Sequence, residues 1–184
     1  GALSVSAQTD VTSSYLSNPS FEADGLQAAS NSTTPQNLVL TGWTETQSAG
    51  GSFNDTQVRN SSTDNASNYG TKVTPSDGEY YLFYRHGWNG QNSATFTSSE
   101  VNLEAGSYTL TVDYKMVSGS DDTNNNNNTS ITISAKNGDS ILGTATAKDA
   151  VQVNDNGNTA VLTNNDWQTL SAEFSINSET SVQI

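Results

Sequence analysis

Residues 84–92 read Tyr-Arg-His-Gly-Trp-Asn-Gly-Gln-Asn. One of the chain's two arginines (Arg85), its single histidine (His86) and one of its three tryptophans (Trp88) fall in this run, beside Asn89 and Gln91. Gly87 and Gly90 mark it as a turn following an apolar strand. Aromatic faces stack on the C–H faces of sugars, and Arg, His, Asn and Gln bond to hydroxyls. The same residues also suit a structural purpose, with Trp88 folded back as a lid on the core and Arg85 paired with a nearby acid. Both readings stay open from the residues alone. Tyr69, in a long polar loop, is a second candidate stacking platform.

Catalytic chemistry has little support. The chain has no Gly-x-Ser-x-Gly elbow, no His-Glu-x-x-His and no phosphate-binding loop. A Ser-His-Asp triad would have to use His86, whose surroundings do not support it. Acidic residues are plentiful but stand singly beside Asn, Ser and Gly. They read as solvated surface carboxylates rather than the facing pair a glycosidase needs. Asp121-Asp122 and Asn154-Asp155-Asn156 do not match an EF-hand loop and read as turn formers.

The elements that would position these residues are strands. Tyr108, Leu110, Val112, Tyr114 and Met116 alternate with Thr109, Thr111, Asp113 and Lys115, the period-two signal of a half-buried strand. Leu170, Ala172, Phe174 and Ile176 alternate in the same way. Trp167 is out of phase with them and is expected to cap the sandwich edge. Residues 79–84 are aromatic on both faces and predict a central strand buried on both sides. Further strands are expected over 15–21, 38–44, 53–59, 94–97, 101–103, 131–134 and 141–147, with another starting at Val182. Pro19 puts the first at an edge or bulge. Residues 22–35, 60–78, 119–129 and 154–158 read as loops. No segment has helical periodicity. About nine short strands with polar turns predict an all-β, two-sheet antiparallel sandwich with essentially no helix.

Composition limits the partners. Apolar residues make up 32% of 184, low for a globular chain, so the expected core is thin and leans on aromatics. Six basic against nineteen acidic residues give a formal charge of −13. That balance repels phosphate backbones and argues against nucleic acid. It also repels an anionic polysaccharide unless the arginines are well placed, so a neutral oligo- or polysaccharide is the easier partner. With no cysteine, disulfides are excluded. No stretch is long and apolar enough to span a bilayer as a helix. Residues 1–8 resemble the end of a signal peptide, so residues 1–14 are read as a flexible leader and 15–184 as a single sandwich domain. The expected location is secreted, periplasmic or on a bacterial surface.

Leu16 to Glu22 reads Leu-Ser-Asn-Pro-Ser-Phe-Glu, Gly42-Trp43 follows, and Leu103 to Leu110 reads Leu-Glu-Ala-Gly-Ser-Tyr-Thr-Leu before Thr111-Val112-Asp113-Tyr114. This ordered set resembles the galactose-binding-like jelly rolls, in particular the carbohydrate-binding modules of exported bacterial glycan-processing proteins. The resemblance spans roughly residues 14 to 184. It implies a jelly-roll fold, with Trp43 packed inside. In that family the Glu of the Asn-Pro-x-Phe-Glu-like segment helps to hold a structural calcium, together with carbonyl oxygens and an Asp from a closing strand. Glu22 matches that Glu. The Asp expected from the closing strand lies beyond Ile184 or is absent.

The expected function is a non-catalytic carbohydrate-binding module that uses Arg85, His86, Trp88, Asn89, Gln91 and Tyr69, as a monomer or as part of a larger chain. The alternative is a structural or adhesin-type sandwich that spaces domains or binds protein.

Overall fold

The computed structural model describes residues 7–31, 36–47, 54–63, 73–85, 93–118, 130–148, 151–152 and 167–184. His86, Trp88, Asn89, Gln91 and Tyr69 lie outside them, as do the loop expectations over 119–129 and 154–158. Among the described residues the chain is almost entirely β. In order it runs α1 (Thr12–Tyr15), β1 (Gln27–Asn31), β2 (Trp43–Gln47), β3 (Asn54–Asn60), β4 (Tyr80–Arg85), β5 (Ala94–Ser98), β6 (Val101–Leu103) and β7 (Gly106–Tyr114). Then follow β8 (Val117–Ser118), β9 (Ile131–Asn137), β10 (Ser140–Ala147), β11 (Val151–Gln152), β12 (Gln168–Ile176) and β13 (Thr180–Val182).

Antiparallel pairing dominates. β3 lies between β1 and β4, while β2 pairs with β5, β7 with β12, β9 with β10 and β6 with β13; β8 and β11 form a short parallel pair. The alternation read in residues 170–176 is seen directly, and that read over 108–116 holds as far as Tyr114, where the strand ends short of Lys115 and Met116. Val112 faces Leu170, Leu110 faces Ala172 and Tyr108 faces Phe174 across the β7–β12 ladder. Ala172, Phe174 and Ile176 are buried while Ser171, Glu173 and Ser175 between them are exposed. The Tyr108 and Phe174 rings stack at 5.4 Å, and the polar face carries a Thr169-to-Asp113 hydrogen bond of 2.8 Å.

Two apolar clusters result. Leu103, Ala135, Phe174, Ile176 and Val182 form one, with Tyr15, Tyr108 and Leu110 packed against it. Ala29, Leu38, Leu40 and Val58 form the other, flanked by Phe21, Trp43, Tyr80, Leu82 and Phe96. Trp43 therefore lies on the core, as the resemblance implied. Close approach of β10 to β12 depends on Gly143, where a Cβ would stand 2.7 Å from the Glu173 carbonyl oxygen.

Residues 183–184 stitch separate strands together. Gln183 and Lys136 exchange two backbone hydrogen bonds of 2.8 Å, and the Ser98 N–H donates to the Ile184 carbonyl at 2.9 Å. The Ile184 N–H in turn donates to Ser98 Oγ at 3.0 Å.

The strand expected over 15–21 does not form. Its start closes the helical turn α1, and the rest is a run of turns. Asn18 and Phe21 both adopt positive φ, 53° and 60°, a region no strand residue occupies. The first strand is instead β1, inside the stretch read as a loop. Residues 79–84 do form a strand, β4, but among the described residues it pairs only with β3.

Candidate functional site

The β3–β4 ladder sets what its two faces carry. Val58 pairs with Leu82 and Asn60 with Tyr80, and Val58, Leu82 and Tyr80 belong to the core. Residues of the other parity, Gln57, Arg59, Tyr81 and Phe83, occupy the opposite face. This explains a strand with aromatics on both sides: one set packs inside, and the other meets a second group of side chains.

On that second face the Arg59 guanidinium lies 3.4 Å from the centre of the Phe83 ring, and its Nε–H donates to Gln57 Oε1 at 2.8 Å. Arg59 is only 5% exposed. A planar, weakly hydrated guanidinium stacks on a ring at a lower desolvation cost than a compact ammonium does. Next to it, Tyr81 is buried and meets Trp167 edge-on, with ring centroids 6.3 Å apart and planes at 72°. Burial pushes the Tyr81 hydroxyl pKa up, and the neighbouring Arg59 charge opposes that shift.

Trp167 is half-buried at the start of β12. Its indole N–H donates to the Thr74 carbonyl at 2.8 Å, tying the segment before β4 to the β7–β12 pair. Lys115 Nζ stands 5.5 Å from the indole centre. Because Gln168 pairs with Tyr114, Trp167 and Lys115 face each other just past the end of that ladder. Phe83, Arg59, Tyr81, Trp167 and Lys115 thus form a continuous row of rings and cations drawn from four separate parts of the chain.

Of the residues singled out in the sequence, Arg85 ends β4, paired in the register with Asp55 two positions beyond the Gln57–Phe83 pair. The segment His86 to Gln91 continues from there. Tyr84, paired with the fully buried Thr56, belongs to the core-side parity, and burial pushes its hydroxyl up to about 12. That interior end of the sheets is polar. Glu45, 3% exposed, accepts the Leu38 N–H and a 2.8 Å bond from Gln47 Nε2.

Glu22 lies at the other end of β4, about 16 Å from Arg85 at roughly 3.3 Å per residue. Its carboxylate accepts the Glu79 N–H at 2.9 and 3.1 Å and the Tyr80 N–H at 3.0 Å. Gly78, at φ 62°, lets the backbone approach so closely. Around it Asn18 Oδ1 accepts the Ala23 N–H at 3.0 Å. Asp24 accepts both the N–H and the hydroxyl of Thr41 at 2.7 Å, which hold its carboxyl below the usual range. Trp43 Nε1–H donates to the Asn18 carbonyl at 3.0 Å. The Leu-Ser-Asn-Pro-Ser-Phe-Glu segment is thus a buckle that fastens β2 and β4 together. Among the described residues no three acidic, His or Cys side chains converge as a ready metal cage.

Sequence reading expected Trp167 at the sandwich edge and did not connect it with Thr74, Tyr81, Arg59 or Lys115. The only signal was its being out of phase with the strand it precedes. No protein-family model, curated protein or solved structure matches the chain.

Proposed function

We propose that this chain is a non-catalytic carbohydrate-binding module, a two-sheet jelly roll of an exported bacterial glycan-processing protein. One observation carries the reading. The face of β3–β4 opposite the Val58–Leu82 side bears the Arg59–Phe83 stack and buried Tyr81, whose ring meets half-buried Trp167 from the start of β12. In sequence that strand leads through Arg85 into His86, Trp88, Asn89 and Gln91. Rings of this kind take the C–H faces of pyranose sugars, and the interleaved Gln, Asn and Arg groups suit hydroxyls. The ligand is bound and released unchanged, so the site needs shape and donors rather than a reactive pair.

A structural calcium belongs to the same reading. Glu22 would supply a carboxylate ligand through the lone pairs that the Glu79 and Tyr80 amides leave, with backbone carbonyls completing the six to eight oxygens the ion requires.

The experiment is a glycan array on the purified chain, followed by titration calorimetry of any hit against Trp167→Ala and Trp88→Ala. Loss of one stacking ring should cost roughly 1–3 kcal/mol, which removes measurable binding at a shallow site. Binding by neither the parent nor any variant, or affinity indifferent to both substitutions, overturns the reading.

A further inference from the structure

Lys115 stands out on electrostatic grounds. Acids outnumber bases nineteen to six in this chain, so an average cation has carboxylates to choose from. Yet the Lys115 ammonium is placed against the Trp167 indole, 5.5 Å from its centre, and among the described residues no carboxylate lies within ion-pair distance of it. Both side chains are partly exposed. The indole is fixed from behind: its N–H is held by Thr74 and its edge meets buried Tyr81. The ring is therefore held in place, with the Lys115 ammonium over it and, among the described residues, no carboxylate paired with that ammonium.

We infer that Trp167 and Lys115 form a subsite for a uronic-acid residue, a sugar whose ring stacks on the indole while its carboxylate pairs with the lysine. This rests on the carbohydrate-binding reading and makes it more specific. The overall charge of −13 sharpens the logic. A polyanionic glycan is repelled by the molecule as a whole, so a chain that binds one needs a local cation beside the stacking ring. A neutral glycan needs no such cation. A charge-assisted pair formed against an aromatic face is partly shielded from water, where it contributes more than an exposed pair does.

The test uses the whole chain and two ligands on the same sugar backbone, one charged and one neutral, oligogalacturonate and its fully methyl-esterified form, measured by titration calorimetry. The free acid should bind roughly tenfold more tightly than the ester, the equivalent of one charge-assisted hydrogen bond. Lys115→Gln should abolish that preference, so that acid and ester bind the variant equally. Raising salt from about 0.02 to about 0.5 M should weaken the acid and spare the ester. Equal affinity for acid and ester, or a preference that survives Lys115→Gln, overturns the uronate assignment and leaves the carbohydrate-binding reading standing. If the parent binds neither ligand, the assignment also falls, and the neutral members of the glycan array then decide the broader reading on their own.

Discussion

The Glu22 carboxylate occupies the space that a side chain at Gly78 would need. A Cβ there would come within 2.7 Å of Oε2 and closer still to Oε1 and the carboxyl carbon. The glycine also sits at φ 62°, where a Cβ adds roughly 1–2 kcal/mol of strain. Gly78→Ala should therefore push Glu22 off the Glu79 and Tyr80 amides as well as strain the turn. We expect a loss of about 2–4 kcal/mol, or roughly 5–15 °C in melting temperature for a domain of this size. A Gly78→Ala variant that melts with the parent would show that this buckle carries no load.

Glu22→Gln separates the buckle from the ion. The amide keeps one carbonyl acceptor and loses the charge, which should cost about 1–3 kcal/mol even in excess chelator. Calcium adds a second, independent contribution, because an ion bound only by the folded chain stabilises it by mass action. Chelator should thus lower the melting temperature of the parent and have no effect on Glu22→Gln. An unchanged parent melting temperature would remove calcium from the proposal. A variant equal to the parent in chelator would remove the buckle.

Asp24 gives a pH dependence of known sign. Its carboxyl is held low by the Thr41 backbone N–H first and the Thr41 hydroxyl second. A carboxyl whose pKa is depressed on folding contributes stability above its unfolded value, near pH 4, and loses it as pH falls through the folded value. Asp24→Asn should be less stable than the parent at pH 7, and the gap should close as pH drops below about 4. Urea unfolding of both chains across pH 2.5 to 7 measures this directly, at points spaced about half a unit. A gap constant over that range would mean that the Asp24 charge contributes nothing.

How far each element could be read from sequence depended on whether its determinants were local. Tyr108–Tyr114 and Leu170–Ile176 each bury alternate residues against one cluster, so alternation alone gave their faces and predicted their common side. β1 carries no such pattern. In Gln-Ala-Ala-Ser-Asn the core residue is Ala29, and an alanine gives period-two reading almost nothing to detect. The 15–21 segment failed for the opposite reason. Its apolar residues look like a strand, but Asn18 and Phe21 are held at positive φ by partners as distant as Thr41 and Trp43. The row from Phe83 to Lys115 was hidden by separation: Arg59, Thr74, Lys115 and Trp167 lie far apart in sequence and meet only once the ladders are paired. His86, Trp88, Asn89, Gln91 and Tyr69 lie outside the described residues.

Ser98 waits a long time for its partners. Its N–H and hydroxyl are satisfied by Ile184, and its carbonyl by Gln183 Nε2 at 3.1 Å, 86 and 85 residues later. A chain emerging from the N-terminal side must hold the end of β5 open until these residues arrive. Closing so long a span is entropically costly, and the cost is repaid only at the end. Such long-range closure predicts folding that is slow for the chain's size and governed by topology rather than local preference. Residues 183–184 also cover strand edges: removing them would leave the end of β5 and Lys136 of β9 without these partners, and unpaired edges are where one copy of a β protein adheres to the next.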